Sequence, residues 1–421
     1  MEERPSEQIP ELIGVHDDVA TSSRHTDVSK WLKWSYVVLV VALFIVAVAK
    51  LPTSDDTKPQ LSVVSEHFSR GVHVGPSAVP WRNVGRGWLV STWEPHPHQK
   101  SVATYLTLVS PSGQIYPLYQ LPGLTPHVVD WSVDGQRVLV ETSNSNPESL
   151  IPARYETIDL RSGIVEGSFK SGRNDQDSAI FATPQGNSIF IKELNDSSVE
   201  WLERYSVGGT AQVRYPTGFP GVKSWNETWL ESPNGAEVVL GAEGGLAILD
   251  LDGKVLSTIP GHQESGCVPE AFWGGNVIVA SCETHNNASG GLYLFSSDWP
   301  APRLLATEPS NFGLFEAWRI GGRVLVQMQS CGPPVLGELH GQHVTMLDNP
   351  AVSGIVVGTT PTSLNVMVPG GECFGGATVV DRYTPSTNQL VQVIGTEVFG
   401  GEATSVVGYQ STQGIGLGGK L

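Results

Sequence analysis

Two short stretches of the sequence carry histidines and a carboxylate at spacings that would suit a metal ion. They are WEPHPH and HGQH, which hold Glu94, His96, His98, His340 and His343. Imidazole and carboxylate are common zinc ligands, but the two prolines of the first stretch mark an exposed loop, and neither stretch has a pattern of supporting residues. Asp175 and Asp177 form a D-x-D pair that is equally common in solvated turns. We therefore predict no metal site and no cofactor.

Acid–base chemistry would need two carboxylates that face one substrate. Glu141, Glu193 and Glu243 are candidates by position alone, because each follows an apolar alternating stretch and would stand at the end of a strand. A pair of such carboxylates can serve as acid and base in the cleavage of a glycan. These three residues define the enzymatic alternative, a glycan-active lyase or hydrolase.

Cysteines supply the remaining reactive groups of the chain. There are four, Cys267, Cys282, Cys331 and Cys373, all in the C-terminal half. An even number is typical of two disulfides when a protein is exported to an oxidising compartment, and four cysteines allow three connectivities.

The stretch WSVDGQRVLV, which begins at Trp131, introduces the elements that must position these residues. It reads as a turn that ends in Gly before an apolar alternating strand, and it recurs along the chain. The last turn residues, at intervals of 40–51 positions, are Gly85, Gly135, Gly186, Gly235, Gly275, Gly322 and Ser363. Seven marks at this period predict a β-propeller.

Each repeat contains four apolar strands, and four antiparallel strands make one blade. We predict an all-β, seven-bladed propeller over residues 71–411, with six or eight blades as alternatives. The stretch EATSVVGYQ, from Glu402, either pairs with the first blade or begins an eighth. The aromatic residues before the turns, Trp131 among them, are predicted to pack between blades. The Asp-Gly turns between third and fourth strands are read as architecture.

Blade positions also place the cysteines. In an up-and-down blade, the loop after the second strand and the loop that enters the first strand open on the same face. All four cysteines are therefore expected to rim one face. We predict the pairs Cys267–Cys282 within blade five and Cys331–Cys373 between blades six and seven.

The N-terminal part predicts export. An uncharged run of 16 residues, Trp34 to Ala49, lies between two lysines and is flanked by tryptophans. Residues 31–51 are predicted to be a transmembrane signal anchor, with residues 1–30 as a disordered cytoplasmic tail and 52–70 as a linker. Cleavage near Ala49 and secretion is the alternative. Residues 412–421 are predicted to be a flexible tail.

The balance of charges excludes one class of partner. The chain carries 42 acidic and 25 basic residues, a formal net charge of −17. Nucleic acids are bound through clusters of Lys and Arg, so we expect no nucleic acid as a partner. The membrane, through residues 31–51, and an envelope protein or polymer are the expected partners of a monomeric propeller.

The repeated phrases WSVDGQRVLV, SPNGAEVVLG and TPQGNSIFIK resemble the W-S-P-D-G repeats of TolB-like and related WD-like propellers. The resemblance implies a membrane-anchored bacterial protein whose propeller is a periplasmic or extracellular scaffold for other proteins or envelope components. Motifs of the enzymatic propellers and of a hydrolase partner domain do not fit the chain. A non-enzymatic binding scaffold is therefore the preferred hypothesis, ahead of the glycan-active enzyme.

Overall fold

The structure is a computed structural model, and the residues it describes all fall within the unit Lys58–Leu421. They are residues 58–63, 74–95, 103–121, 126–142, 154–170, 178–182, 186–194, 200–216, 225–261, 266–282, 290–309, 312–329, 333–347, 353–368, 379–395 and 401–409. Within these ranges no helix is long and apolar enough to cross a bilayer. The predicted anchor, residues 31–51, lies outside them.

The described residues form 29 strands, β1 to β29, grouped here by blade. Blade 1 contains β1 (Ser62–Val63), β2 (Leu89–Pro95), β3 (Thr104–Val109), β4 (Ile115–Leu121) and β29 (Gly401–Gly408). Blade 2 contains β5 (Pro126–Trp131), β6 (Arg137–Thr142), β7 (Arg154–Asp159) and β8 (Val165–Lys170). Blade 3 contains β9 (Ser178–Phe181), β10 (Ser188–Leu194), β11 (Glu200–Ser206) and β12 (Ala211–Arg214).

The remaining blades repeat this order. Blade 4 contains β13 (Trp225–Glu231), β14 (Glu237–Glu243), β15 (Gly245–Asp250) and β16 (Val255–Pro260). Blade 5 contains β17 (Gly266–Gly274), β18 (Val277–Cys282), β19 (Gly291–Phe295) and β20 (Arg303–Thr307). Blade 6 contains β21 (Gly313–Ile320), β22 (Arg323–Gln329), β23 (Val335–His340) and β24 (His343–Met346). Blade 7 contains β25 (Ile355–Thr359), β26 (Leu364–Val368), β27 (Val379–Thr384) and β28 (Gln389–Ile394). Two short 3-10 helices, Pro76–Ala78 and Trp81–Asn83, precede β2.

These sheets confirm the all-β, seven-bladed propeller. Seven apolar cores lie between neighbouring blades, one for each of the seven junctions, including the junction of blade 7 with blade 1. Because successive side chains of a strand point to opposite faces, a strand that is buried throughout, such as β3, supplies apolar side chains to both neighbouring blades. The alternatives of six and eight blades are wrong.

The ring closes through the C-terminal strand. β29 is the innermost strand of blade 1, where it pairs antiparallel with β2 from Leu89↔Gly408 to Pro95↔Gly401. Pairing of this stretch with the first blade is thus confirmed. Tyr409, next along the chain, stacks edge-on against Trp131 of blade 2 at 5.2 Å and donates its hydroxyl proton to the Val133 carbonyl at 2.6 Å.

The opening turn of the repeat has the role that its residues predict. Ser132 Oγ donates to Asp134 Oδ1 at 2.6 Å, and Gly135 adopts φ 71°, a conformation that favours glycine. Trp131 is completely buried in the core between blades 1 and 2. The stretch is therefore a scaffold element, as the sequence indicates.

The turns between third and fourth strands also join neighbouring blades. The Tyr119 hydroxyl of blade 1 donates to the Arg161 carbonyl in the turn of blade 2, at 2.7 Å. In the same way, Tyr215 of blade 3 donates to the Leu251 carbonyl of blade 4, at 3.1 Å. Each of these turns docks on the outer strands of the preceding blade, which is a reason for their Asp and Gly residues beyond hairpin formation.

Gly167 tests how closely such a turn approaches its neighbour. A Cβ atom built on Gly167 in β8 would lie 1.9 Å from the Val207 carbonyl oxygen of blade 3. We expect Gly167→Ala to lower the free energy of unfolding by about 2–3 kcal/mol, because the backbones of two blades must separate. Urea denaturation followed by tryptophan fluorescence measures this. Gly208→Ala, whose Cβ meets nothing closer than 3.7 Å, is the control and should change stability by less than about 0.5 kcal/mol.

Candidate functional site

The three candidate carboxylates fall on three different blades. Glu141 lies in β6, Glu193 in β10 and Glu243 in β14, each in the second strand of its blade. The side chain of Glu141 is half-buried, directly opposite His127 of β5. Glu193 and Glu243 have side chains outside the described part. Their strands place the three residues one blade apart, around the ring.

His127 stands at the entrance of blade 2, near a carboxylate of blade 1. Burial lowers the pKa of His127, and the charge of Glu94 at the end of β2 acts in the opposite direction. Glu94 is held by the Thr104 hydroxyl, which donates to Glu94 Oε1 at 3.0 Å.

Neither histidine-rich stretch assembles a metal site in the described part of the chain. His340 and His343 are exposed and face each other across the hairpin of β23 and β24. His96, His98, Asp175 and Asp177 lie outside the described residues. Among the described side chains, no group of three or more His, Cys, Asp or Glu could hold a metal ion.

Irregularities in the innermost strands place carboxylates that the sequence analysis did not single out. The innermost strand of every blade except the third pairs with its neighbour through a register shift. In blade 2 the first residue after the shift is Asp130, and in blade 6 it is Glu316. In blade 5 the residue skipped by the shift is Glu270. Bulges aim side chains away from the regular alternation, which explains why a period-two pattern misses these residues.

Asp130 joins two blades. Its Oδ2 accepts the backbone N–H of Phe181 in blade 3 at 2.7 Å, and the residue is 1% exposed. Ser405 holds the corresponding position in β29 and accepts the N–H of Val128 in blade 2 at 2.6 Å. The polar residues at this position therefore bind the backbone of the next blade, a structural role.

Glu270 and Glu316 have a different character. Glu270 is 5% exposed. Burial raises its pKa well above the usual range, and the negative charge of Glu316 in the adjacent blade raises it further. A carboxyl group in this environment favours its protonated form.

Cys267 and Cys282 meet inside the protein. They stand directly opposite each other in β17 and β18, with their sulfur atoms 2.20 Å apart and their Cα atoms 4.2 Å apart, which makes them a candidate disulfide. Both are buried in the core between blades 4 and 5, one at the start of β17 and the other at the end of β18. Cys331 and Cys373 lie outside the described residues.

Peptide mapping tests this pair. We expect non-reducing digestion of the protein isolated from cells to yield a peptide pair joined through Cys267 and Cys282. Replacing both with Ala should lower the free energy of unfolding by about 2–4 kcal/mol, the usual effect of a disulfide. A peptide that joins Cys282 to Cys331 would contradict the predicted connectivity.

An open cleft of 560 Å³ lies between the outer strands of blades 1 and 2. Its lining comes from β4, β7, β8 and the segment that precedes blade 1; it includes Lys58, Gln120, Leu121, Arg154, Glu156 and Ser168. The guanidinium Nε of Arg154 donates to Ser168 Oγ at 2.6 Å and lies 3.2 Å from Glu156 Oε1. The side chain of Arg154 is 55% exposed, so its two Nη nitrogens face an accessible space.

Lys58–Val63, named the strap here, closes one side of this cleft. It lies within the predicted linker 52–70 and pairs with both blades. The Leu61 N–H donates to the Gly163 carbonyl of blade 2 at 2.8 Å, and the Val165 N–H donates to the Pro59 carbonyl at 2.8 Å. Ser62 and Val63 then pair with Gln120 and Tyr119 of blade 1. A stretch with Pro59 and no alternating pattern gives little sign of a strand.

Comparisons with known proteins agree with the fold. No protein-family model matches the chain, and no curated protein matches it by sequence. A prolyl endopeptidase structure is 14% identical with a TM-score of 0.52, and the match covers 88% of this chain and 55% of that one. The propeller domain of the trilobed protease from Pyrococcus furiosus is 10% identical over 75% of this chain and 96% of its own, with a TM-score of 0.49.

A TolB structure from Acinetobacter baumannii is 12% identical over 61% of this chain and 65% of its own, with a TM-score of 0.35. Because the chain spans about half the length of the prolyl endopeptidase, the match to that protein concerns one part of it. At these identities the likeness is one of architecture. The chain is a seven-bladed β-propeller with structural neighbours among peptidase propellers and TolB.

Proposed function

We propose that this protein is a membrane-anchored, extracytoplasmic β-propeller that binds a protein or polymer of the cell envelope without catalysing a reaction. The observation that carries the proposal is the cleft on the outer wall, which is open, includes the charged side chains of Arg154 and Glu156 in its lining, and is already bordered by a bound extended segment. Sites built for recognition present such accessible polar groups on a rigid scaffold. The candidate catalytic residues Glu141, Glu193 and Glu243, by contrast, lie on separate blades.

Anchoring through residues 31–51 is part of this proposal, with the N-terminus in the cytoplasm. It rests on the uncharged run between Lys33 and Lys50 and on the candidate disulfide, which needs an oxidising compartment. The intact mass of the protein extracted from membranes distinguishes the anchored form, which keeps residues 1–49, from the alternative form secreted after cleavage near Ala49.

Proximity labelling with the full chain in its native membrane tests the binding function. Gln120→Trp fills the cleft from an exposed position of β4, and Thr258→Trp places the same side chain on the exposed outer strand β16 of blade 4. We expect the wild-type chain and Thr258→Trp to label the same envelope partner, and Gln120→Trp to label it about tenfold less, a loss of about 1.4 kcal/mol. Equal labelling by both variants would rule out the cleft as the binding site. The absence of any partner would rule out the scaffold.

One observation favours the second candidate, a glycan-active enzyme. Glu270 and Glu316 lie on innermost strands of neighbouring blades, and the raised pKa of Glu270 is a property of general acids. An enzyme would release new reducing ends from purified envelope polysaccharide, and Glu316→Gln would abolish that release. No release by the full chain would eliminate this candidate.

A further inference from the structure

The strap Lys58–Val63 joins the outer edges of two blades, and only its last two residues belong to a blade strand, β1. It crosses from the edge of β8 in blade 2 to the edge of β4 in blade 1, and it pairs with each through its backbone. The ring itself is closed by β29, on the opposite side of blade 1. Removing the strap would leave the ring closed through β2 and β29, and it would take one apolar side chain, Leu61, from the core between blades 1 and 2.

The strap is held by few contacts. Leu61 is buried, whereas Lys58, Pro59, Gln60 and Ser62 are exposed. Pro59 has no N–H, so the pair it forms with Val165 makes one backbone bond where other residues would make two. The strap thus has an incomplete ladder, one buried side chain and one side-chain hydrogen bond, from Gln60 Nε2 to the Ser162 carbonyl at 2.8 Å, and the strand edges that it covers can pair with other extended segments.

The cleft beside the strap offers additional contacts to such a segment. Residues of the strap form part of the lining of this 560 Å³ cleft, so a segment that took the place of the strap would border the cleft as well. Ser168 and Glu156 hold Arg154 in this cleft through its Nε, and its side chain is 55% exposed, so the guanidinium group is accessible to a partner. A partner with a carboxylate or a carbonyl oxygen at this point would gain bonds that the strap does not make.

We propose that the strap occupies a β-strand-binding site, where an extended segment of a partner protein replaces it by strand addition to the edges of β8 and β4. The inference rests on the proposed binding function and names its partner class. The segment carries one apolar residue at the position of Leu61, polar residues on either side, and an oxygen acceptor that reaches Arg154. Backbone pairing provides the affinity, and the buried position that Leu61 now occupies provides the selectivity for one apolar side chain.

A disulfide lock tests the proposal on the full chain. Ser62 and Gln120 are exposed and directly opposite in the pairing of β1 and β4, so Ser62→Cys with Gln120→Cys fixes the strap when oxidised. Thr384→Cys with Gln389→Cys, opposite residues of the outer hairpin of blade 7, is the matched control lock. Both are made in a background that carries Leu61→Ala, Cys331→Ser and Cys373→Ser.

The probe is a fluorescein-labelled peptide, KPQLSVV, which copies residues 58–64. We expect fluorescence polarisation to show saturable binding to the control lock, and at least tenfold weaker binding to the oxidised strap lock that mild reduction reverses. A peptide with Asp in place of Leu should bind to neither of the two locked proteins. Cooperative thermal unfolding of both locked proteins verifies that they are folded.

Equal binding of the peptide to both locked proteins, or no binding to either, would overturn the strand-binding site. Envelope partners captured equally by the oxidised strap lock and the control lock would also overturn it, while leaving the scaffold function in place. Peptide binding to the control lock alone, with partner capture lost in the strap lock, supports both.

Discussion

A chain that ends at residue 395 will fail to form the closed ring. It lacks β29, the innermost strand of blade 1, and with it the buried side chains of Ala403, Val406 and Val407. The loss removes apolar contacts from the core between blades 7 and 1 and leaves the edge of β2 without its ladder. We expect a destabilisation of more than about 5 kcal/mol, seen as the absence of a cooperative thermal transition in circular dichroism.

The control for this experiment is a chain that ends at residue 411, which retains β29 and Tyr409. It should unfold at the temperature of the full chain. Tyr409→Phe gives an intermediate case, because it removes the hydroxyl bond to the Val133 carbonyl and keeps the ring against Trp131, a loss of about 1 kcal/mol. A cooperative transition of the 395-residue chain near the wild-type temperature would contradict closure by β29.

The architecture was predictable because each repeat contains a turn whose residue types are determined by local interactions. A turn such as Ser132–Gly135 needs a glycine with positive φ and a side chain that bonds its own backbone, and both requirements are visible in sequence. Seven such turns, each before an apolar alternating strand, are enough to determine the blade count. Burial of Trp131 between blades follows from its position just before the turn.

Features that depend on contacts between distant parts of the chain were less predictable. The strap pairs residues about 100 positions apart, such as Leu61 with Gly163, and its own composition resembles a linker. The position of Glu270 depends on a register shift, which moves a carboxylate off the face that alternation assigns to it. Cys267 was expected in the loop that enters blade 5, but β17 begins one residue earlier.

The candidate residues for chemistry differ between the sequence and the structure. Sequence position favoured carboxylates at the ends of second strands, because those ends open on one face of the ring. The structure instead places the most strongly perturbed described carboxyl, Glu270, on an innermost strand, and the accessible cleft on the outer wall. The buried carboxyl group therefore lies in blade 5 and the accessible cleft at blades 1 and 2, so the two are separate features of the propeller.

Glu270→Gln should make the protein more stable at neutral pH. Because burial and the charge of Glu316 raise the pKa of Glu270 in the folded state, the native protein holds a proton that the unfolded chain releases at lower pH. Stability from this proton is complete below the unfolded pKa, near 4.3, and falls by about 1.4 kcal/mol per pH unit as the pH rises toward the native pKa. A neutral amide of the same shape does not titrate and avoids this loss.

Urea denaturation from pH 4 to pH 8 measures the effect as a difference in slope. The free energies of unfolding of the wild type and Glu270→Gln should differ least near pH 4 and diverge as the pH rises, with the variant more stable. Glu316→Gln should narrow the pH range over which the wild-type stability falls only in part, because burial, the larger cause of the raised pKa of Glu270, remains. Parallel curves for the wild type and Glu270→Gln would show that Glu270 titrates alike in the folded and unfolded states, and would also remove the physical basis for its role as a general acid.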